Sequence, residues 1–204
     1  MKKIFLIILI ILSTININAY ENEYFEINIP NEYKEDILEN NTYKWTKDNK
    51  YIAITISDNK DKNYDISKFT NEDILNQEKY IEDNINKELE DHDIKVDVTN
   101  IKLNKINDKN TLTYEVYWPS KELTGHDIYQ LGSIYTTTNY IITLIYNSDE
   151  ELDTNNDEFI NLLNSFTIKD EAINQFKNYI YTIILFIFFI IIIGFIITNK
   201  KHKK

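Results

Sequence analysis

The side chains able to do chemistry are few in kind. The chain has no cysteine, which excludes a thiol nucleophile, a disulfide framework and a lipid-modified cysteine. No G-x-S-x-G elbow presents a serine. Gly125, Gly132 and Gly194 are too dispersed to cradle a phosphate. His92, between Asp91 and Asp93, falls at the end of an expected helix, where the C-terminal dipole accounts for it. A zinc site needs three or four converging ligands, and the sequence offers no such set. Asp153-Thr154-Asn155-Asn156-Asp157 opens like a calcium loop, but Glu158 stands at the sixth position in place of glycine and Asn164 at the twelfth in place of glutamate. Helix capping by Thr154 is the expected role of that segment. Carboxylates are so numerous that no two stand out as an acid–base pair. The expectation is therefore no catalytic residue, no metal ligand and no cofactor.

One loop is less ordinary. Trp118-Pro119 through Asp127 gathers an aromatic, a proline, Gly125 and His126, and loops carry binding residues disproportionately. The competing reading is that Trp118 ends a core strand and the loop is a connector. Three functions are open on these residues. The favoured one is a non-catalytic binding or assembly module. The others are a hydrolase using carboxylates or His126, and a ligand or metal sensor acting through a partner.

The elements that must position these residues follow from periodicity. Phe25, Ile27 and Ile29 alternate with Glu26 and Asn28 before Pro30, a half-buried strand. Thr42–Lys47 and Tyr51–Ser57 read as a hairpin across Asp48-Asn49. Thr70-Asn71-Glu72-Asp73 is a capping box opening a helix to about Asp91. Its stripe of Ile74, Ile81, Ile85 and Leu89, with Leu75 at the edge, is expected to be buried against a sheet. Strands follow over Ile94–Leu103, Leu112–Trp118 and Asp127–Thr138, the last with Gly132 as an expected bulge, and then over Tyr140–Tyr146. A short helix holds Phe159, Leu162 and Leu163, and Ser165–Ile168 is a closing extended piece. The pattern predicts an α+β domain with an antiparallel sheet of about six strands flanked by helices.

The two ends predict location. Lys2 and Lys3, an apolar run from Ile4 to Leu12 and a polar stretch ending at Ala19 have a signal-peptide layout over residues 1–19. Tyr179–Thr198 is uncharged and apolar on every face, long enough as a helix for the ~30 Å hydrocarbon core of a bilayer. Lys200, Lys201, Lys203 and Lys204 follow it in a basic tail over 199–204, which the positive-inside rule places in the cytoplasm. The expectation is a single-pass cell-membrane protein, with its N-terminus outside, a domain over 20–169 and a short stalk over 170–178. Between Tyr20 and Phe176 stand all 33 acidic residues and 15 lysines, a balance of −18 with no arginine. That charge argues against nucleic acid and against lying flat on anionic lipid. The expected partner is another envelope or membrane protein.

The order of elements resembles the PsbP-like superfamily. The residues that carry the resemblance are FEINIP at Phe25–Pro30 with the following Trp45, the run from Leu112 to Tyr146, and FINLLNSFTI at Phe159–Ile168. It implies an antiparallel sheet flanked by helices and a binding or assembly role. It carries over no functional residue, and a C-terminal membrane span departs from the soluble or lipid-anchored form usual in that superfamily.

Overall fold

The computed structural model describes residues 18–36, 41–60, 64–90 and 94–169. Most of the expected signal peptide, Asp91–Asp93, and the expected stalk, span and tail over 170–204 lie outside the described residues. Among the described residues no helix is long and apolar enough to cross a membrane.

Among the described residues ten strands and three helices follow in the order β1 (Asn18–Glu21), β2 (Phe25–Ile29), β3 (Lys34–Glu35), β4 (Thr42–Lys47), β5 (Lys50–Asp58), α1 (Asn71–Glu88), β6 (Asp97–Ile106), β7 (Lys109–Trp118), α2 (Lys121–Thr124), β8 (Ile128–Thr136), β9 (Tyr140–Ser148), α3 (Asp157–Ser165) and β10 (Thr167–Ile168), with a 3-10 turn at Ile66–Lys68 before α1. Seven strands form one sheet in the order β3-β4-β5-β9-β8-β7-β6, and β1-β2-β10 form a second. Every pairing is antiparallel. The α+β class is as the sequence predicts, but a single sheet of about six strands becomes seven plus three. The additional strands are short. β3 holds two residues, too few for alternation to show, and β10 is the two-residue core of the closing extended piece. β1 includes Asn18 and Ala19, the last residues of the expected signal peptide.

Two hairpin turns carry residues that accept a left-handed backbone. Asp48 has φ 49° between β4 and β5, and Asn107 and Asp108 have φ 49° and 62° between β6 and β7. Gly132 is not a bulge: it pairs regularly with Tyr114 and Ile145. The irregularity lies in β6, between Thr99 and Lys102, where Asn100 has φ 54°. Gly132 answers another demand. A Cβ there would lie 2.1 Å from Tyr114 Cζ, so the tyrosine ring rests on the bare glycine backbone.

Alternation divides the large sheet between two cores. On one face Ile52, Ile54, Ile56, Leu131, Ile142, Leu144 and Tyr146 meet Phe25, Ile27 and Ile29 of β2 and Phe159, Leu162 and Leu163 of α3. Asn156 caps α3 by accepting from Phe159 N–H at 3.0 Å, two residues beyond the expected Thr154. On the other face Val98, Leu112, Tyr114, Val116 and Ile134 join Ile66 and Val96, and α1 packs against them. Among the described residues both cores draw on β-strands and helices from one end of 18–169 to the other.

Candidate functional site

Helix α1 begins as the sequence predicts. Asp73 N–H donates to Thr70 Oγ1 at 3.2 Å, and Thr70 N–H donates back to Asp73 Oδ2 at 2.8 Å. The Thr70 N–H bond, and then a second from Thr70 Oγ1 to the same Oδ2 at 2.7 Å, hold the Asp73 carboxyl below its ordinary value. The seating of the helix departs from expectation. Ile74, Ile81, Ile85 and Leu89 are half-buried, and no residue of α1 is fully buried. Side-chain anchors explain the position. Val96 N–H donates to Asn86 Oδ1 at 2.8 Å, Asn86 Nδ2 donates to Val96 O at 3.3 Å, and Val98 N–H donates to Glu82 Oε2 at 3.3 Å. Tied to the start of β6, the helix leaves the same face of β8, β9 and β5 uncovered by any helix among the described residues.

The result is a cleft of about 950 Å³. Its floor is Tyr114, Ile134, Ile141, Thr143 and Ile145. Gln77, Tyr80, Ile81, Asn84 and Ile85 of α1 make one wall. Tyr51 and Trp118 stand at one end, and Asp58, Asn59, Lys60 and Tyr64 at the other. The ends follow from register: Tyr51 pairs with Asn147 and Asp58 with Tyr140, seven residues apart along β5, or about 23 Å at the usual strand rise.

Asn59 builds the Asp58 end. Its N–H donates to Asn139 O at 2.7 Å, its Nδ2 to Tyr64 O at 3.0 Å and to Thr137 O at 3.1 Å, and its Oδ1 accepts from Tyr64 N–H at 3.3 Å. These bonds fix Tyr64 over the cleft, where burial, then the neighbouring Tyr80, push its phenol up to about 12. At the other end Gln130, only 5% exposed, forms a cross-strand row with Val116 and Asn147. Burial raises the Tyr51 phenol, and a hydrogen bond with the Asn147 side chain works against that rise. Apart from Asp58 and Lys60 at one end, the lining is mainly aromatic, aliphatic and amide, the usual composition of a ligand site.

The loop Pro119–Asp127 is a stapled connector. Ser120 Oγ and Thr124 Oγ1 both donate to His126 O, at 3.0 and 2.6 Å. Lys121 N–H and Tyr117 Oη both donate to Asp127, each at 3.2 Å. Gly125 supplies the φ of 88° that ends the turn. Its polar groups thus hold the turn itself, and only Trp118, at its start, reaches the cleft. His126 is not brought together with the cleft-lining residues.

The expected calcium-like segment is also local structure. Asp153 Oδ1 accepts from Asn155 N–H at 2.8 Å, and Thr154 N–H donates to Glu115 Oε1 at 2.9 Å. Among the described residues no group of three or more His, Cys, Asp or Glu could hold a metal ion. His92 lies outside the described residues.

Sequence reasoning missed the cleft because its residues come from six separate elements and loops. The available signal was the second alternation of β5, β8 and β9, where Tyr51, Ile134, Ile141 and Ile145 break the polar pattern of a solvated face.

No protein-family model and no curated protein matches the chain. The solution structure of cyanobacterial PsbP (CyanoP) from Synechocystis sp. PCC 6803 is similar in fold, with a TM-score of 0.56 at 16% identity over 75% of this chain and 92% of that one. A Bacteroides thetaiotaomicron protein gives a TM-score of 0.48 at 12% identity over 76% and 49%. The Saccharomyces cerevisiae Ran-binding protein Mog1p gives 0.47 at 8% identity over 77% and 98%. The fold is PsbP-like.

Proposed function

We propose that this protein is a non-catalytic recognition module held at the outer face of the cell membrane, with the cleft between α1 and the large sheet as its recognition site. The observation that carries the reading is the cleft itself: a concave, aromatic-lined and amide-lined surface of about 950 Å³, left open because α1 is anchored over β6. The PsbP-like fold supports a binding role by analogy alone. The membrane placement rests on the sequence of residues 1–19 and 179–204. With Tyr179–Thr198 spanning the bilayer and 170–178 as a stalk, the domain over 20–169 meets an envelope or membrane partner at raised effective concentration, so a weak interface suffices.

The cleft also favours the second reading, a ligand sensor acting through a partner. In that reading occupancy of the cleft is read by a protein bound to the domain.

The test uses the full chain in intact cells. Protease added outside is expected to digest the domain and leave a small membrane fragment, whereas protection of the whole chain overturns the orientation. A photoreactive residue in place of Tyr80, at the cleft rim and 62% exposed, is expected to form a discrete adduct. That adduct should vanish when Thr143→Phe fills the floor. An adduct pattern indifferent to Thr143→Phe overturns the assignment of the cleft.

A further inference from the structure

The chain leaves the domain at one identifiable end of the large sheet. Asn107, in the turn between β6 and β7, donates from Nδ2 to Asn164 O at 2.8 Å and to Phe166 O at 3.4 Å, just before β10. Lys169 N–H donates to Tyr24 O at 2.8 Å, and the Tyr24 ring stands 5.1 Å from that of Tyr140, the first residue of β9. Tyr140 pairs with Asp58, and Asn59 N–H reaches Asn139 O in the turn between β8 and β9. The exit, both of these turns and the Asp58 end of the cleft therefore share one end of the domain. The Tyr51 end shares the other with the loop Pro119–Asp127 and with the turn between β4 and β5, where Asn49 Nδ2 donates to Asp149 Oδ2 at 2.7 Å.

The two ends differ in charge. At the far end Asp149, Glu150, Glu151 and Asp153 follow closely, joined by Asp48, Glu122 and Asp127, while Lys47, Lys50 and Lys121 answer only part of that charge. At the exit end Thr137–Asn139 is uncharged, Lys169 pairs with Glu21, and Lys60, Lys105 and Lys109 match Asp58, Asp108 and Glu23. Reach separates the ends as well. From Lys50 to Asp58 the strand β5 covers about 27 Å at the usual rise, several times the ~8 Å screening length of physiological salt. Residues 170–178 span at most roughly 30 Å when fully extended. Turning the far end to a bilayer would take nearly all of that length, at an entropic cost, and would press carboxylates onto lipid phosphates.

We infer that the domain stands end-on on the bilayer, with the turns Asn107–Asp108 and Thr137–Asn139 against the phospholipid headgroups. The cleft is then upright, its Asp58–Tyr64 end at the membrane surface and its Trp118 end away from it. A partner held in the same bilayer meets the Asp58 end first, and one arriving from outside meets Trp118 and the loop Pro119–Asp127. This rests on the membrane placement proposed above and specifies which surface faces lipid.

The full chain has no cysteine, so Thr138→Cys and Glu122→Cys each give it one exposed thiol, at the exit end and the far end. Each variant is labelled with bimane, checked for unchanged near-ultraviolet dichroism, and reconstituted into vesicles that carry a nitroxide on the lipid headgroup. The vesicles are phosphatidylcholine, with or without phosphatidylglycerol. The expected result is quenching at least about threefold stronger at Thr138 than at Glu122 in both lipids. The contrast should widen with phosphatidylglycerol and narrow again in high salt, because the anionic surface repels the acidic end. Equal quenching at the two sites, or stronger quenching at Glu122, overturns the inference. Retention of the chain by the vesicles after alkaline extraction is measured in the same samples. A chain that washes off sinks the membrane placement itself, whereas equal quenching in a retained chain sinks only the orientation.

Discussion

Gly132 shows how much a single missing atom can decide. Its backbone pairs on both sides, and the Tyr114 ring fills the space that any side chain would take. Gly132→Ala forces that ring to move within a packed core, which typically costs about 1–3 kcal/mol. Urea unfolding should show the loss, and the double variant with Tyr114→Ala should fall short of additivity, since the clash disappears with the ring. Strict additivity would show that Tyr114 is not the obstacle. The sequence displayed Gly132 plainly, but a bulge and a ring resting on bare backbone leave the same local signature; only the register with Tyr114 separates them. The same holds for Asp153–Asp157. A capping motif was legible there, yet Asn156 takes the cap because Thr154 is drawn to Glu115, a residue 39 positions away. With these carboxylates and amides committed to turn and cap, calorimetry is expected to show no saturable calcium site tighter than about millimolar. A micromolar stoichiometric site would contradict that assignment.

At the scale of elements, helix α1 separates what patterning reveals from what it cannot. Its start, its capping box and its apolar stripe were legible, because each depends on residues within a few positions of one another. Its depth was not. That depends on Asn86 and Glu82 reaching the backbone of Val96 and Val98, and those bonds draw the helix toward β6 and away from β9. The stripe is therefore half-buried, and the energetic consequence differs from that of a core helix. Ile81→Ala is expected to lower stability by about 1 kcal/mol, against roughly 3 kcal/mol for Leu144→Ala in the fully buried opposite core. Chemical denaturation of both variants checks the ratio, and equal losses would place Ile81 deeper than the structure has it. The strands β2, β4, β5, β7, β8 and β9 were legible from alternation, and β10 falls within the closing extended piece Ser165–Ile168; β1 and β3 were not legible, because two to four residues carry no period and their existence depends on a partner strand.

The whole molecule carries an unusual load of buried phenols, and this gives it a predictable response to base. Burial raises Tyr33, Tyr64, Tyr114, Tyr135 and Tyr146 above the ordinary value, with Tyr64 and Tyr135 each pushed up to about 12. Tyr33 and Tyr146 are raised further by Glu158, to which the Tyr146 hydroxyl donates at 2.6 Å. These five tyrosines are drawn from both cores and the cleft, so the effect is distributed through the fold. In the unfolded chain each ionises near pH 10, while in the folded chain the phenolate is suppressed. Above pH 10 the folded state therefore binds more protons than the unfolded one, and linkage makes stability fall as pH rises. The contribution is complete below pH 10 and is lost as pH climbs through 12. For Tyr135 alone, 2% exposed, the loss is roughly 2–3 kcal/mol by pH 12. The expected measurement is a urea midpoint that these phenols leave unchanged between pH 7 and 9 and that drops steeply above pH 10. A fraction of the 15 tyrosines should gain phenolate absorbance only together with the loss of near-ultraviolet dichroism. If all of them titrate smoothly near pH 10 while the fold persists, the phenols are solvated and the two-core packing described for this chain is wrong.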